Sequence, residues 1–252
     1  MIAVTATLPD DAALRASVVL VHGAANSASV WTYWQRALAE HGFASYAVDL
    51  RGHGASDPVD LSRTSMRDYV DDVVNLINEL GGKRDYWISM GWSMGGLVAM
   101  QAAYDQCALA FVGLAPSTPA LARDASMPLR EGVFGIEEYG ITDFDPDADQ
   151  PAMVDLDQEE RAIALASRSS ESRYARDERA AGVVVSDLDC PSLIVTSTGD
   201  TQWPRSRYDS MHLPVEHLSV EGASHWGLVL NRRVIEALVP RVVAWIDGVA
   251  PE

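Results

Sequence analysis

Tyr86-Trp87-Ile88-Ser89-Met90-Gly91-Trp92-Ser93-Met94-Gly95-Gly96-Leu97 reads as a buried strand that turns sharply into a helix. Tyr86 to Ser89 is the strand, and Leu97 to Gln106 carries a helical pattern. Between them Gly91-Trp92-Ser93-Met94-Gly95 matches G-x-S-x-G in the strand–turn–helix setting that gives this motif its meaning. A turn this sharp strains the backbone of its central residue. Side chains at the flanking positions would clash, which accounts for Gly91 and Gly95. The turn lifts the Ser93 hydroxyl to the sheet edge and aims helix N–H groups at the reacting centre, so Ser93 is the candidate nucleophile.

Working outward, short apolar runs alternate with helical patterns. Ser17 to Val21 and Ala44 to Asp49 read as strands, with a helix from Trp31 to His41 between them. A long helix opens at about Ser65, where Ser65 and Asp68 have capping-box spacing. Its stripe of Val70, Val73, Val74 and Ile77 stops at Gly81-Gly82. Downstream, Ala110 to Leu114 and Ser192 to Thr196 are strands, Val215 to Val220 is a weaker one, and Asn231 to Ile246 is the closing helix. This alternation predicts an α/β fold: a mostly parallel sheet covered by helices on both faces.

The rhythm breaks between Ser117 and Ser186, where helical patterns are polar and Glu137 to Glu160 holds ten acids and no base. The expected organisation is a core of residues 1–116 and 187–252 with a helical cap inserted over 117–186. The insertion follows a strand C-terminus, where open α/β sheets bind ligands. Its polarity predicts fewer buried contacts and easier opening than in the sheet.

A serine hydroxyl needs a base, and the base needs an orienting acid. Strand–elbow–helix enzymes carry them in the chain order serine, acid, histidine. Of the six histidines, His225 lies in the loop Gly222-Ala223-Ser224-His225-Trp226-Gly227, after the last strand and before the closing helix. His22 and His53 come too early, His41 ends a helix, and His212 and His217 flank the weak strand. Asp200 is the acid in the loop that follows Ser192 to Thr196, whereas Asp187 and Asp189 precede that strand. The oxyanion needs two N–H donors, and the candidates are Met94 at the helix start and Ala24 in the His22-Gly23-Ala24-Ala25 loop. Four tryptophans, Trp31, Trp92, Trp203 and Trp226, stand beside these residues in sequence, as pocket lining or as core.

Composition narrows the rest. With 252 residues and 48% apolar content the chain can bury a sizeable core. Its net charge of −17 disfavours nucleic acid and anionic membrane surfaces as partners. Two cysteines, Cys107 and Cys190, are too few for a disulfide framework or a four-thiolate zinc site, and the expectation is reduced thiols in a cytoplasmic protein. The N-terminus lacks a basic region followed by a long apolar core, and no apolar run reaches the roughly 20 residues that span a membrane. Neither metal-ligand spacing nor a dinucleotide fingerprint occurs, so no metal or cofactor is expected. Oligomeric state is not legible.

Taken together, His22-Gly23, Asp49-Leu50-Arg51-Gly52-His53-Gly54-Ala55-Ser56, Gly91 to Gly96, Asp200 with Pro204, and Ser224-His225 resemble the α/β-hydrolase superfamily in its small, serine-nucleophile, esterase-like branch. The resemblance implies a helical cap after the sixth strand, and a structural role for Asp49, Arg51 and His53 around the site. Ser197 departs from a glycine that some members carry three residues before the acid. A serine at position 93 sets the chain apart from the epoxide-hydrolase and haloalkane-dehalogenase branches, which use an aspartate. The expected activity is hydrolysis of a carboxylic ester of a small or medium organic molecule. A thioesterase, a lactonase and a C–C bond hydrolase share the same triad, and a ligand receptor shares the fold.

Overall fold

The computed structural model describes residues 1–10, 15–81, 87–139 and 143–249. In the strand–helix reading above, Tyr86 and Gly82 lie outside the described residues. Along the chain the strands are β1 (Val4–Thr7), β2 (Ser17–Val21), β3 (Ser45–Val48), β4 (Trp87–Trp92), β5 (Ala110–Leu114), β6 (Val133–Phe134), β7 (Glu171–Ser172), β8 (Ser192–Ser197) and β9 (Glu216–Val220). The helices are α1 (Thr32–Glu40), α2 (Met66–Glu79), α3 (Met94–Gln106), α4 (Gln158–Ala166), α5 (Arg173–Ala181), α6 (Gly227–Leu230) and α7 (Arg232–Val249). Seven strands make one sheet in the order β1-β3-β2-β4-β5-β8-β9. All its pairings are parallel except that of β1 with β3.

The inner strands β2, β4, β5 and β8 are buried on both faces, and their side chains alternate between two cores. Val18 and Leu20 of β2, with Ile88, Met90 and Trp92 of β4, pack against Trp34 and Leu38 of α1 and Leu238, Val242 and Ile246 of α7. Val19 and Val21 face the other way, toward Tyr69, Val70, Val73 and Ile77 of α2 and Leu97 and Val98 of α3. On that face Ser89 turns its hydroxyl onto the Ala99 carbonyl at 2.7 Å. Register brings Val21 opposite Gly91, Gly91 opposite Gly113 and Trp92 opposite Leu114, so the C-terminal ends of the central strands share one edge.

Helix starts follow local chemistry. Ser65 caps α2 by accepting the Asp68 N–H at 3.1 Å, while Asp68 accepts the Ser65 N–H at 2.9 Å, the capping box that the spacing predicts. α3 begins at Met94 rather than Leu97, because Gly95 and Gly96 belong to its first turn. Asn231 precedes α7 and its side chain accepts the N–H groups of Arg233 and Val234. Strand β1 is invisible to apolar patterning because it is short, largely exposed and lies on the sheet edge.

Residues 117–186 leave the sheet after β5 and return at β8. They hold α4, α5 and the two-stranded antiparallel ribbon of β6 and β7. Their polar sequence is less loosely held than its composition implies. Met153, Leu156, Ala164 and Leu165 join the core beside α1 and α7, and Ala175, Val183 and Val185 join the core beside α2 and α3. Polar bonds add to this: Ser172 Oγ donates to the Thr64 carbonyl, Met66 N–H to Glu178, and Ser169 N–H to the Ala25 carbonyl. Acids of the α4 start, Asp157, Glu159 and Glu160, ring Arg232.

The elbow has no room for a side chain at position 95. A Cβ there would lie 2.1 Å from the His22 carbonyl oxygen and 2.4 Å from that of Val21, both backbone atoms of β2 or its exit. Gly95→Ala is expected to destabilise the protein by about 3 kcal/mol or more, within the range of severe overpacking. Chemical denaturation of Gly95→Ala beside Gly248→Ala, whose Cβ would meet nothing within 4 Å, checks this.

Candidate active site

Ser93 sits between the end of β4 and the start of α3 with φ 54 and ψ −122, a backbone state that few non-glycine residues adopt. Such a state costs on the order of 1–3 kcal/mol and persists where its surroundings over-determine it. Here the Ser93 N–H donates to the Leu114 carbonyl at 3.1 Å, and its own carbonyl accepts from Gly96 and Ser117. The loop after β2 closes tightly against it: a Cβ on Gly23 would lie 2.8 Å from the Trp92 ring and 3.2 Å from Ser93 Cβ. Ala24 follows this contact, half-buried, and Met94 is the first residue of α3, whose N–H has no acceptor inside the helix.

Asp200, on the loop after β8, and His225, on the loop after β9, meet at 2.6 Å between Oδ2 and Nδ1. A carboxylate accepts, so Nδ1 carries the proton and Nε2 is the basic nitrogen. The other oxygen of Asp200 accepts the N–H groups of Gln202 and Trp203, each at 2.9 Å. Burial alone would raise this carboxyl. The bond from His225 and the two backbone N–H groups outweigh it and hold Asp200 below the usual carboxylate range. Trp92, the residue before Ser93, lays its ring 4.9 Å from that of His225 and donates its Nε1–H to the His225 carbonyl at 3.2 Å. The nucleophile's own strand thus supports the imidazole.

The remaining candidates separate. Trp226 stacks 5.0 Å from Trp92, Trp203 is half-buried under Arg207, and Trp31 is fully buried against Trp34 in the core. His41 bonds the Ala37 carbonyl, His212 bonds the Val185 carbonyl, and His217 lies on β9 beside Tyr208. Asp187 and Asp189 are exposed before β8.

One functional neighbour escapes sequence reasoning. Glu171, on β7, is fully buried and accepts three hydrogen bonds, from Tyr69 Oη at 2.5 Å, its neighbour Ser172 N–H at 2.7 Å and the Ala25 N–H at 2.9 Å, and it faces His53 Nε2 at 3.4 Å. It clamps the loop that carries Ala24, at a residue, Ala25, with φ 56. Burial opposes its charge, but His53 and the hydrogen bonds bring it down to about 2. Burial opposes the charge of His53 too, and Glu171 more than offsets this and raises it. The ring of His22, 5.2 Å from His53, is pushed down to about 4 by burial and by the charge of His53. His22 therefore stays neutral: Nδ1 bonds the Gly23 carbonyl, and Nε2 accepts the Leu50 N–H. Asp49 completes the cluster by accepting the Ala28 and Ala55 N–H groups. No pattern in Ser169-Ser170-Glu171-Ser172 marks the glutamate, since all its partners but Ser172 are distant in sequence.

This layout belongs to a known class of parallel-sheet enzymes built around a strand–serine–helix elbow. Residues 18–237 match the model of the alpha/beta hydrolase family, and the chain belongs to that family. It is 28% identical over 227 residues to the pimeloyl-[acyl-carrier protein] methyl ester esterase of Pectobacterium carotovorum subsp. carotovorum (strain PC1), covering 90% of this chain and 78% of that protein. A match to the protein of the same name from Shewanella woodyi is 37% identical over 114 residues, but covers 44% of this chain and 40% of the relative. In fold the chain resembles a thermophilic esterase from Thermogutta terrifontis, with a TM-score of 0.68 at 21% identity over 99% of this chain and 94% of the other. Among the described residues no helix is long and apolar enough to cross a membrane.

The buried pair gives stability a pH signature. Glu171 at about 2, against 4.5 when unfolded, contributes stability that is present above about pH 4.5 and lost as pH falls toward 2. His22 at about 4, against 6.5, adds loss from about pH 6.5 downward. Glu171→Gln leaves His53 buried without its counter-charge and is expected to cost about 3 kcal/mol or more near pH 7. The deficit should narrow below about pH 4.5 as Glu171 of the unfolded wild type takes up its proton, and vanish toward pH 2. Urea denaturation of both proteins from neutral to acid pH measures it; a deficit constant throughout would mean that Glu171 is not ionised in the fold.

Proposed function

We propose that the protein hydrolyses a carboxylic ester of a small or medium organic substrate through an acyl-enzyme on Ser93. The observation that carries this reading is the 2.6 Å Asp200–His225 pair, braced by the ring of Trp92 beside the left-handed Ser93. His225 Nε2 takes the Ser93 proton as Oγ attacks the ester carbonyl. The Ala24 and Met94 N–H groups hold the oxyanion, and His225 then passes the proton to the leaving alkoxide. Water deprotonated by the same nitrogen cleaves the acyl-enzyme, releases the acid and returns the hydrogen to Ser93. Asp200 holds the tautomer and stabilises the imidazolium. Relatives named as methyl ester esterases support an ester as the cleaved bond. Trp92, Trp203 and Trp226 form the apolar wall, and residues 117–186 act as the cap that shapes substrate size.

Ser93→Ala is expected to remove roughly 10⁶-fold of the turnover of a p-nitrophenyl ester while keeping the fold, because members of such a unit act together. Retention of more than a tenth of the activity would assign the nucleophile elsewhere. Asp200→Asn should lower kcat by about 10⁴-fold, through a misoriented or wrong-tautomer imidazole. Asp187→Asn and Asp189→Asn, before β8, should remain active; the opposite ranking in measured kcat would relocate the acid.

A further inference from the structure

The residues over the oxyanion loop carry a cation with no partner of opposite charge. Ser167 Oγ donates to Asn26 Oδ1 at 2.9 Å and Ser169 N–H to the Ala25 carbonyl at 3.0 Å, so the intervening Arg168 is held directly above the loop that carries Ala24. Its guanidinium carbon lies 5.6 Å from the centroid of Trp226, the residue next to His225, and 5.2 Å from that of Tyr139. Both rings lie within cation–π distance of the guanidinium. Among the described residues Arg168 has no carboxylate within 4.0 Å, and its buried Nε has no acceptor. Close by, Arg173 holds Glu138, Arg130 holds Asp177, and Arg232 holds three acids. Arg161 and Arg179 also have a buried Nε without an acceptor, but Arg168 is in addition pushed down by burial, in a chain with 36 acids and 19 bases.

A second group points the same way. The Tyr139 hydroxyl is buried and has no partner among the described residues. Burial and the charge of Glu171 push it up to about 12, opposed by Arg179, Arg176 and Arg168 on its other side. Burial likewise brings Arg168 down to about 10, although the charge of Glu171 opposes the shift. The overall charge of −17 would repel an anionic substrate, and this cluster reverses the sign locally. An unpaired guanidinium fork and an unpaired hydroxyl match the two oxygens of a carboxylate.

We propose that Arg168 and Tyr139 form a subsite for a free carboxylate on the substrate, so that the preferred esters carry a second, unesterified acid group. The proposal rests on the ester-hydrolase reading for its position in the reaction. The test compares kcat/KM for monomethyl and dimethyl adipate, and for the glutarate pair. The wild type should favour the monoester, and in Arg168→Met, which keeps an apolar stem between the rings, the monoester-to-diester ratio should fall by about 10- to 100-fold, the span of a hydrogen bond to a charged group. Arg168→Lys should restore part of the ratio, and Tyr139→Phe should lower it by about threefold. Binding is read separately, by tryptophan fluorescence of the Ser93→Ala protein titrated with adipate, with and without Arg168→Met. A wild type indifferent to charge, or a variant in which both esters slow equally, would overturn the subsite and leave ester hydrolysis standing. Adipate binding that depends on Arg168, in a protein that hydrolyses neither ester, would keep the subsite and overturn the ester reading. Adipate binding unaffected by Arg168→Met would overturn the subsite.

Discussion

The left-handed backbone of Ser93 is the constraint on which the site depends. To hold an L-residue there, strand β4 and helix α3 must meet almost without side chains. Gly91 lies where a Cβ would strike the Gly95 carbonyl at 2.2 Å, and Gly95 lies against the carbonyls of β2. That closeness lets Gly23 touch the Trp92 ring and Ser93, and it sets the loop containing Ala24 beside the helix N-terminus. The order of the parallel strands does the rest: β8 and β9 follow β5 across the sheet, so the loops bearing Asp200 and His225 open at the same edge as Ser93. Local strain, helix placement and the convergence of distant loops are parts of one geometric solution.

Two imidazole–carboxylate pairs lie near this elbow, and their surroundings give them different capacities. In the Asp200–His225 pair, one ring nitrogen is bound and the other is available, on a side chain that keeps 12% of its surface exposed. In the His53–Glu171 pair one nitrogen bonds the Arg51 carbonyl at 2.9 Å, the other faces Glu171 at 3.4 Å, and both side chains are sealed from water. Chemistry needs a base that can exchange its proton with substrate, and a sealed ion pair cannot do this. The second pair suits a different task, which is to fix the Ala25 N–H and the loop around it. A buried charge pair is poor as a source of net stability, but it is specific about geometry when every lone pair is used, as at Glu171.

Legibility in the sequence follows the range of the interactions. The elbow, the Ser65 capping box and the buried strand runs are local, because the residues that cause them lie within a few positions of one another. Asp200 and His225 were legible through order, since each follows a strand whose place in the alternation can be counted. Glu171 and Arg168 lie in a polar stretch whose composition resembles a solvated surface, and their significance comes from Tyr69, His53, Ala25 and Trp226, far away in sequence. Edge strand β1 was hidden for another reason: with most of its residues exposed, it gives no apolar run to read. The resemblance assigned His53 a structural role, while the partner that explains that role needed coordinates.

Residues 117–186 thus do more than cover the sheet edge. Through Glu171 and Ser169 they hold the loop that carries Ala24, and through Asp155 they hold the loop that carries His225, accepting the Ser224 N–H at 3.0 Å and receiving the Asn231 amide at its carbonyl. Arg168 stands between these two attachments. A stretch bonded to both loops cannot shift far without disturbing the groups that would hold the oxyanion and the imidazole. Between these attachments Arg168 lies against the rings of Tyr139 and Trp226. One polar segment thus supplies both the hydrogen bonds that hold the loops of Ala24 and His225 and the guanidinium that lies against Trp226.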